Sequence, residues 1–381
     1  MIYLDNAATT GWKPDSVIEA VHHAMTNMCV NAGRGSYELA RKASIMLDEC
    51  RDRILKLSGI RSGYHVYFSP SATIALNELI LGLPCDSWTN IYVTPFEHNA
   101  IMRPLHALAN RTGCSIHQIP FSQDAWTLDE AQLSSLFMTN KPDIVFLSMV
   151  SNTTGYRLPL DQIIAIAKNY SAKIIIDCAQ AFGSVDVDFQ RFGADAYVFA
   201  GHKTLYGPYG ASGMILSDQW PYVSGLYGGT GSKSLSLEMP EASAGGWEPG
   251  SMNITAVAGL NAAVQWIDET TPAAIEAHER KLINKAADSL LALPHVITYL
   301  PPQDSRSSII AFNIEGYESR EVGDILSDEF DIALRTGYQC APLVHDWLKT
   351  KRFSGIVRAS VGWFNTEDDI DHLINAVQSL L

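Results

Sequence analysis

The chain has no run of 18 apolar residues, so no segment predicts a transmembrane helix. It opens "MIYLDNAATT", with an aspartate at position 5 and neither the basic start nor the apolar stretch of a secretory leader. Basic residues are in the minority: 27 lysines and arginines stand against 41 aspartates and glutamates, a formal net charge of −14. That balance argues against nucleic acid and against an anionic membrane surface as partners, and any anionic ligand must meet a local positive site. The six cysteines (Cys29, Cys50, Cys85, Cys114, Cys178 and Cys340) form no CxxC pair and no Cys/His cluster at zinc spacing. They point to reduced thiols in a cytoplasmic setting, without a metal site or a disulfide framework. No GxGxxG follows an early strand, which disfavours a nicotinamide dehydrogenase. Internal repeats and low-complexity tracts are also missing.

What is present describes a large globular enzyme. With 381 residues, 47% of them hydrophobic and 18% charged, the chain can bury a sizeable core and predicts two domains. Between about residues 65 and 216, β-rich runs alternate with amphipathic stretches. The runs are 65–69, 90–94, 114–119, 143–150, 172–177, 196–201 and 212–217. Several are continuously apolar, as strands buried on both faces must be, so the rhythm predicts an α/β fold with a mainly parallel seven-stranded sheet. Helices are expected at 15–29, 37–58, 71–83, 98–112, 129–138 and 160–169. The stretch 225–253 is rich in Gly, Ser and Pro, has no period, and is too long for an ordinary connection, so it is either functional or disordered. Helices at 255–268, 272–292, 319–329 and 366–380, a strand at 307–315 and the run "IALRTG" predict a smaller α+β domain. The expected division is 12–254 for the large domain, and 1–11 with 255–381 for the small one.

Open α/β sheets place ligands at the carboxyl ends of their strands. The run 172–177 ends in Asp177, and Lys203 follows 26 residues later, at the end of a later β run. A carboxylate behind apolar residues needs a cationic partner, although Asp177 taken alone equally fits a helix cap. Paired over one sheet edge, the two suit pyridoxal phosphate: a lysine for the Schiff base and an acid for the pyridine nitrogen. "YFSPSATIALNELI" (67–80) adds a phosphate cradle, with Ser71, Ala72 and Thr73 opening a helix; a plain capping segment is the alternative. His98, at another strand end, offers a flat ring for stacking, though a lone histidine also fits a structural role.

"YLDNAATT", "SATIALN", "FEHNA", "SNTTG", "IIDCAQ", "AGHKTLYGPYG", "EPGS", "LRTGYQCAP" and "VRAS" occur in that order along essentially the whole chain. Together they resemble the motifs of class V, fold-type I pyridoxal-phosphate enzymes, and among these the cysteine desulfurase/selenocysteine lyase group. The resemblance implies that Lys203 carries the cofactor, Asp177 pairs with the pyridinium, and Gln180 bonds the ring hydroxyl. It implies His98 as the stacking base and Asn152 as a contact to ring or substrate. Ala72, Thr73 and His202 are then phosphate ligands. Ser251 follows as a phosphate contact reaching across a homodimer. Arg358, aided by Arg335, grips the substrate carboxylate, a task that suits a planar guanidinium.

The resemblance extends to Cys340, the cysteine that attacks the sulfur of bound L-cysteine to leave alanine and an enzyme persulfide. Only 18 positions separate Cys340 from Arg358, which resembles the short-loop, SUF-type branch and implies a docking sulfur-acceptor protein. Three departures stand out: Ala200 in place of the usual serine, Ser251 in place of threonine, and Tyr338-Gln339 ahead of the cysteine. The alternatives are a selenocysteine lyase, or a class V aminotransferase, C–S lyase or epimerase in which Cys340 is incidental. A scaffold that binds the cofactor without turnover is a further reading.

Overall fold

The structure, a computed structural model, describes residues 1–32, 35–241 and 245–381. The chain enters through a short strand β1 (Ile2–Tyr3), then α1 (Asp15–Asn27) and α2 (Glu38–Ser58). A β/α alternation follows: β2 (Tyr64–Ser69), α3 (Ala72–Leu81), β3 (Asn90–Val93), α4 (Asn99–Thr112) and β4 (Ser115–Gln118). A small hairpin, β5 (Phe121–Ser122) and β6 (Thr127–Leu128), precedes α5 (Glu130–Thr139). Then come β7 (Ile144–Ser148), α6 (Leu160–Lys168), β8 (Lys173–Asp177), β9 (Ala196–Phe199) and β10 (Ser212–Ser217).

Seven of these strands form one sheet in the order β2-β10-β9-β8-β7-β3-β4. Only β10 runs against the others, pairing antiparallel with both β2 and β9. Every residue of β7 and β9 is buried, and their side chains alternate between two cores. Val145, Leu147, Tyr197 and Phe199 join the core packed with α2 and α6. Ile144, Phe146, Ala196 and Val198 join the core packed with α3 and α4. Two covered faces explain why these strands read as unbroken apolar runs.

After the long segment come α7 (Ile254–Thr270) and α8 (Pro272–Leu291), followed by β11 (Val296–Thr298) and β12 (Ile309–Ile314). The chain closes with α9 (Ser319–Phe330), β13 (Ile332–Ala333), β14 (Arg335–Gly337), α10 (Val344–Trp347), β15 (Ile356–Ser360) and α11 (Glu367–Ser379). A second, antiparallel sheet has the order β11-β12-β15-β14. β1 pairs with β13, and Leu4 enters the third core with residues of α8, α9 and α11. Helix α7 packs chiefly on α1 and α2, on the large-sheet side.

Among the described residues of 225–253 there is no helix or strand, and 242–244 lie outside the described residues. The segment is nevertheless tied down. Glu248 accepts bidentate hydrogen bonds from Arg51 at 2.8 and 2.9 Å and one from the Phe68 amide at 2.8 Å, and Trp247 is buried.

Candidate active site

The carboxyl ends of β3, β7, β8 and β9 converge on one cavity, lined by Ala72, Thr73, His98, Asn152, Asp177, Gln180 and Lys203. Seven of the residues singled out in the sequence therefore meet in one place.

Asp177 is the last residue of β8 and is buried, with Oδ1 accepting from the Ala179 amide at 2.9 Å. Turns and no helix follow it, so the helix-cap alternative falls away. Burial pushes its pKa up, while the Ala179 N–H and the charge of Lys203 pull it down. Lys203 sits in the turn after β9. Desolvation lowers its pKa to about 8, against the pull of Asp177 and with the help of Arg358 and Arg335. A lysine so placed is a usable nucleophile near neutral pH.

At the start of α3 the Ser71 hydroxyl caps the Ile74 amide at 3.2 Å. The amides of Ala72 and Thr73 remain without a backbone partner among the described residues. Those two N–H groups and the positive end of a ten-residue helix can serve an anion in the cavity that Lys203 also lines.

His98 is the N-cap of α4, and its Nδ1 accepts from the Ala100 amide at 3.0 Å. That bond leaves the proton of the neutral ring on Nε2. Burial first, and then the cations Lys203, Arg335, Arg358 and Arg103, lower its pKa to about 4. His202 stacks on Tyr209 with ring centroids 4.5 Å apart, and its buried Nδ1 has no partner. Gln180 donates from Nε2 to the Ala7 carbonyl at 2.7 Å.

Arg358 is 1% exposed, on β15, directly opposite Arg335 on β14. Like charges facing across a ladder are unfavourable unless an anion is meant to join them. Arg358 donates to Asp5 Oδ1 at 2.6 Å and to the Asn152 carbonyl at 2.8 Å, while its buried Nε stays unpartnered. Arg335 makes no ion pair or side-chain hydrogen bond among the described residues.

Cys340 lines an adjoining cavity with Thr73, His98, Ala100 and Arg103, so the two cavities share a wall at His98. Ser251 is in neither. It is exposed, with Asn31 Nδ2 at 3.4 Å, in a separate pocket near Ile74 and Trp247.

Sequence reasoning passed over two site residues. Asp5 lies inside the quoted motif "YLDNAATT" and proves to be the ion-pair partner of Arg358. Glu97, next to His98, is fully buried and accepts from Thr94 Oγ1 (2.7 Å), Ser148 N (2.9 Å) and Ser148 Oγ (2.7 Å). A carboxyl four residues past an apolar strand, beside His98, was the available signal for it.

Comparison with known proteins places the chain in a family. The class-V aminotransferase family model matches residues 2–373. A probable cysteine desulfurase of Halobacterium salinarum is 30% identical over 99% of this chain and 91% of its own length. A cysteine desulfurase of Klebsiella pneumoniae is 30% identical over 100% of this chain and 93% of its own. The apo structure of a cysteine desulfurase from Thermococcus onnurineus superposes with a TM-score of 0.90 at 27% identity, covering 100% of this chain and 94% of that one. The chain therefore belongs to the class-V aminotransferase family, together with these cysteine desulfurase relatives.

Proposed function

We propose that the protein is a pyridoxal-phosphate-dependent cysteine desulfurase that converts L-cysteine to L-alanine and holds the released sulfur as a persulfide on Cys340. The observation that carries this reading is the convergence of Lys203 and Asp177 over one sheet edge, with Cys340 across His98 in the adjoining cavity.

The residues present fit the cofactor. Two free amides at the start of α3 suit a phosphate, and the buried Nδ1 of His202 and Oδ1 of Asn152 are polar atoms still lacking partners. Asp177, buried and facing one lysine, suits a ring nitrogen that must carry a proton. When bound, pyridoxal phosphate supplies an electron sink for bonds broken at the amino-acid substrate.

The chain's own groups do the rest. Ala72, Thr73 and His202 hold the phosphate, His98 covers the ring, and Gln180 contacts its hydroxyl. Arg358, oriented by Asp5, takes the substrate carboxylate with Arg335 beside it. The Cys340 sulfur attacks the substrate sulfur: an S–S bond forms, the C–S bond breaks, and the released carbon takes a proton to become the methyl of alanine.

Two units divide this work: the large domain, 12–254, against whose α1 and α2 the helix α7 packs, holds the cofactor. The second sheet, with the N-terminal residues, brings Arg358 and Cys340. Exposed Tyr227, Leu235 and Leu237 on the segment after residue 225 support a homodimer, in which Ser251 reaches the partner's phosphate. Six free thiols fit a reducing cytoplasm, and the short Cys340 loop fits an acceptor protein that comes to the site. No helix among the described residues is long and apolar enough to cross a membrane.

The test is Cys340→Ala. Alanine release from L-cysteine should fall at least ~100-fold with the absorbance of bound cofactor unchanged, and release from L-selenocysteine should fall far less. Full activity with cysteine in this variant would replace the desulfurase reading by an aminotransferase, C–S lyase or epimerase.

A further inference from the structure

The turn that carries Cys340 closes on itself through the Ala341 amide, which donates to the Tyr338 carbonyl at 3.0 Å, and three groups from outside the turn hold its three consecutive carbonyls. The Tyr338 carbonyl accepts from His345 Nε2 at 2.8 Å, that of Gln339 from Asn152 Nδ2 at 2.7 Å, and that of Cys340 from the Asn99 amide at 2.7 Å. The backbone between these pins is unfavourable. Gln339 and Cys340 have φ of +47° and +55°, two successive left-handed residues with side chains, each costing about 1–3 kcal/mol. Such a turn persists only where its surroundings over-determine it.

Asn152 and Asn99 hold the turn to the large sheet. His345 holds it from the other side, five residues beyond the cysteine, and is 1% exposed. A carbonyl can only accept, so Nε2 carries the proton and Nδ1 accepts from the Thr350 hydroxyl at 2.7 Å. Thr350 is itself fully buried. Burial lowers the imidazole pKa, in keeping with a neutral ring of one tautomer. The Tyr338 ring meets the imidazole edge-on at 5.1 Å, which completes the enclosure.

We infer that His345 is a positioning residue for Cys340: the Thr350–His345–Tyr338 chain of hydrogen bonds locks the left-handed turn and so holds the thiol at the cavity beside His98. The inference rests on the reading of Cys340 as sulfur acceptor. It adds that this thiol is fixed in place, so that sulfur is collected and handed on at one position.

Two variants separate hydrogen bonding from packing. His345→Phe keeps a ring and removes the donor, whereas His345→Gln keeps a donor toward Tyr338. The readouts are the rate of Cys340 carbamidomethylation by iodoacetamide, located by mass spectrometry, and kcat and KM for alanine release by the holoenzyme. A thiol displaced by about 1 Å loses roughly 100-fold in rate. His345→Phe should therefore lower kcat about 100-fold with KM within about threefold of wild type, and change the alkylation rate at least about threefold. His345→Gln should stay within about threefold of wild type in every readout. Wild-type alkylation and kcat in His345→Phe would overturn the inference, as would an equal loss in His345→Gln. If His345→Phe does not fold, Thr350→Val replaces it, with a smaller fall in kcat expected and an unchanged alkylation rate and kcat again overturning. Should wild-type alanine release prove independent of Cys340, the desulfurase reading fails. The alkylation rates then judge His345 on their own, an altered rate supporting its role and an unchanged one refuting it.

Discussion

Replacing Glu97 by glutamine should leave the protein as stable as wild type at low pH and make it more stable than wild type above neutrality. Glu97 is wholly buried behind the site, surrounded by donors but with no cation paired to it among the described residues. Burial raises its pKa from 4.5 to about 7, with nearby Asp177 adding to the rise and the Ser148 and Thr94 hydrogen bonds opposing it. Below pH 4.5 the carboxyl is neutral both folded and unfolded, and its titration contributes nothing. As pH climbs from 4.5 to 7 the unfolded chain ionises while the folded one keeps its proton, so wild-type stability falls. A rise from 4.5 to about 7 corresponds to a loss of about 3 kcal/mol, fully developed above pH 7. Glutamine cannot ionise, and its amide can donate to Ser148 Oγ as a protonated carboxyl would. The gap in Tm between Glu97→Gln and wild type should therefore widen by about 4 °C between pH 4.5 and pH 8 for a chain of this length. Thermal melts across that range, on cofactor-loaded and stripped protein, measure it. A gap that stays flat, or that turns against the variant as pH rises, would show that Glu97 is ionised in the fold and refute the reasoning.

Two further outcomes follow from the site. Lys203→Ala should yield colourless protein from which borohydride traps no cofactor adduct, and an adduct trapped on another lysine would reassign the nucleophile. Sedimentation should show a dimer, and Ser251→Ala should weaken cofactor retention several-fold; a monomer that keeps cofactor and activity would refute the composite site.

The fold was legible where one physical cause dominated. β7, β8 and β9 are buried on both faces, so composition alone marks them, and their expected ends lie within two residues of the observed ones. β1, β11 and β13 are two or three residues long and owe their existence to a distant partner, as in Ile2 with Ile332, which no local pattern encodes. β15 was visible only as the motif around Arg358, because its pairing with β12 and β14 is set by the tertiary fold. The longer helices were legible to within a turn, since apolar period and cap chemistry agree, as where α2 stops at Gly59 with φ of +75°, whereas the four-residue α10 was not foreseen.

The same division runs through the site. Lys203, Asp177 and His98 are charged or polar groups at the ends of apolar strands, a placement that is costly without a purpose and so can be read from one dimension. Glu97 and His345 are different in kind. Each matters through the groups it holds, Ser148 at a separation of 51 residues and Tyr338 at 7. Their residue types are unremarkable until those partners are known. His345 lies in the 18-position interval between Cys340 and Arg358, which a motif reading treats as spacing alone. In the structure that interval carries the ring that secures the cysteine turn, so its length and its contents have separate consequences. Arg358 is fixed by the pairing of β15 with β12 and β14, so a change in interval length falls on the connecting segment, whereas a changed residue at 345 would leave the span intact and free the turn. That separation is why His345→Phe should lower kcat without raising KM: on the proposed roles, Arg358 stays in place for the substrate carboxylate while the Cys340 thiol loses its position.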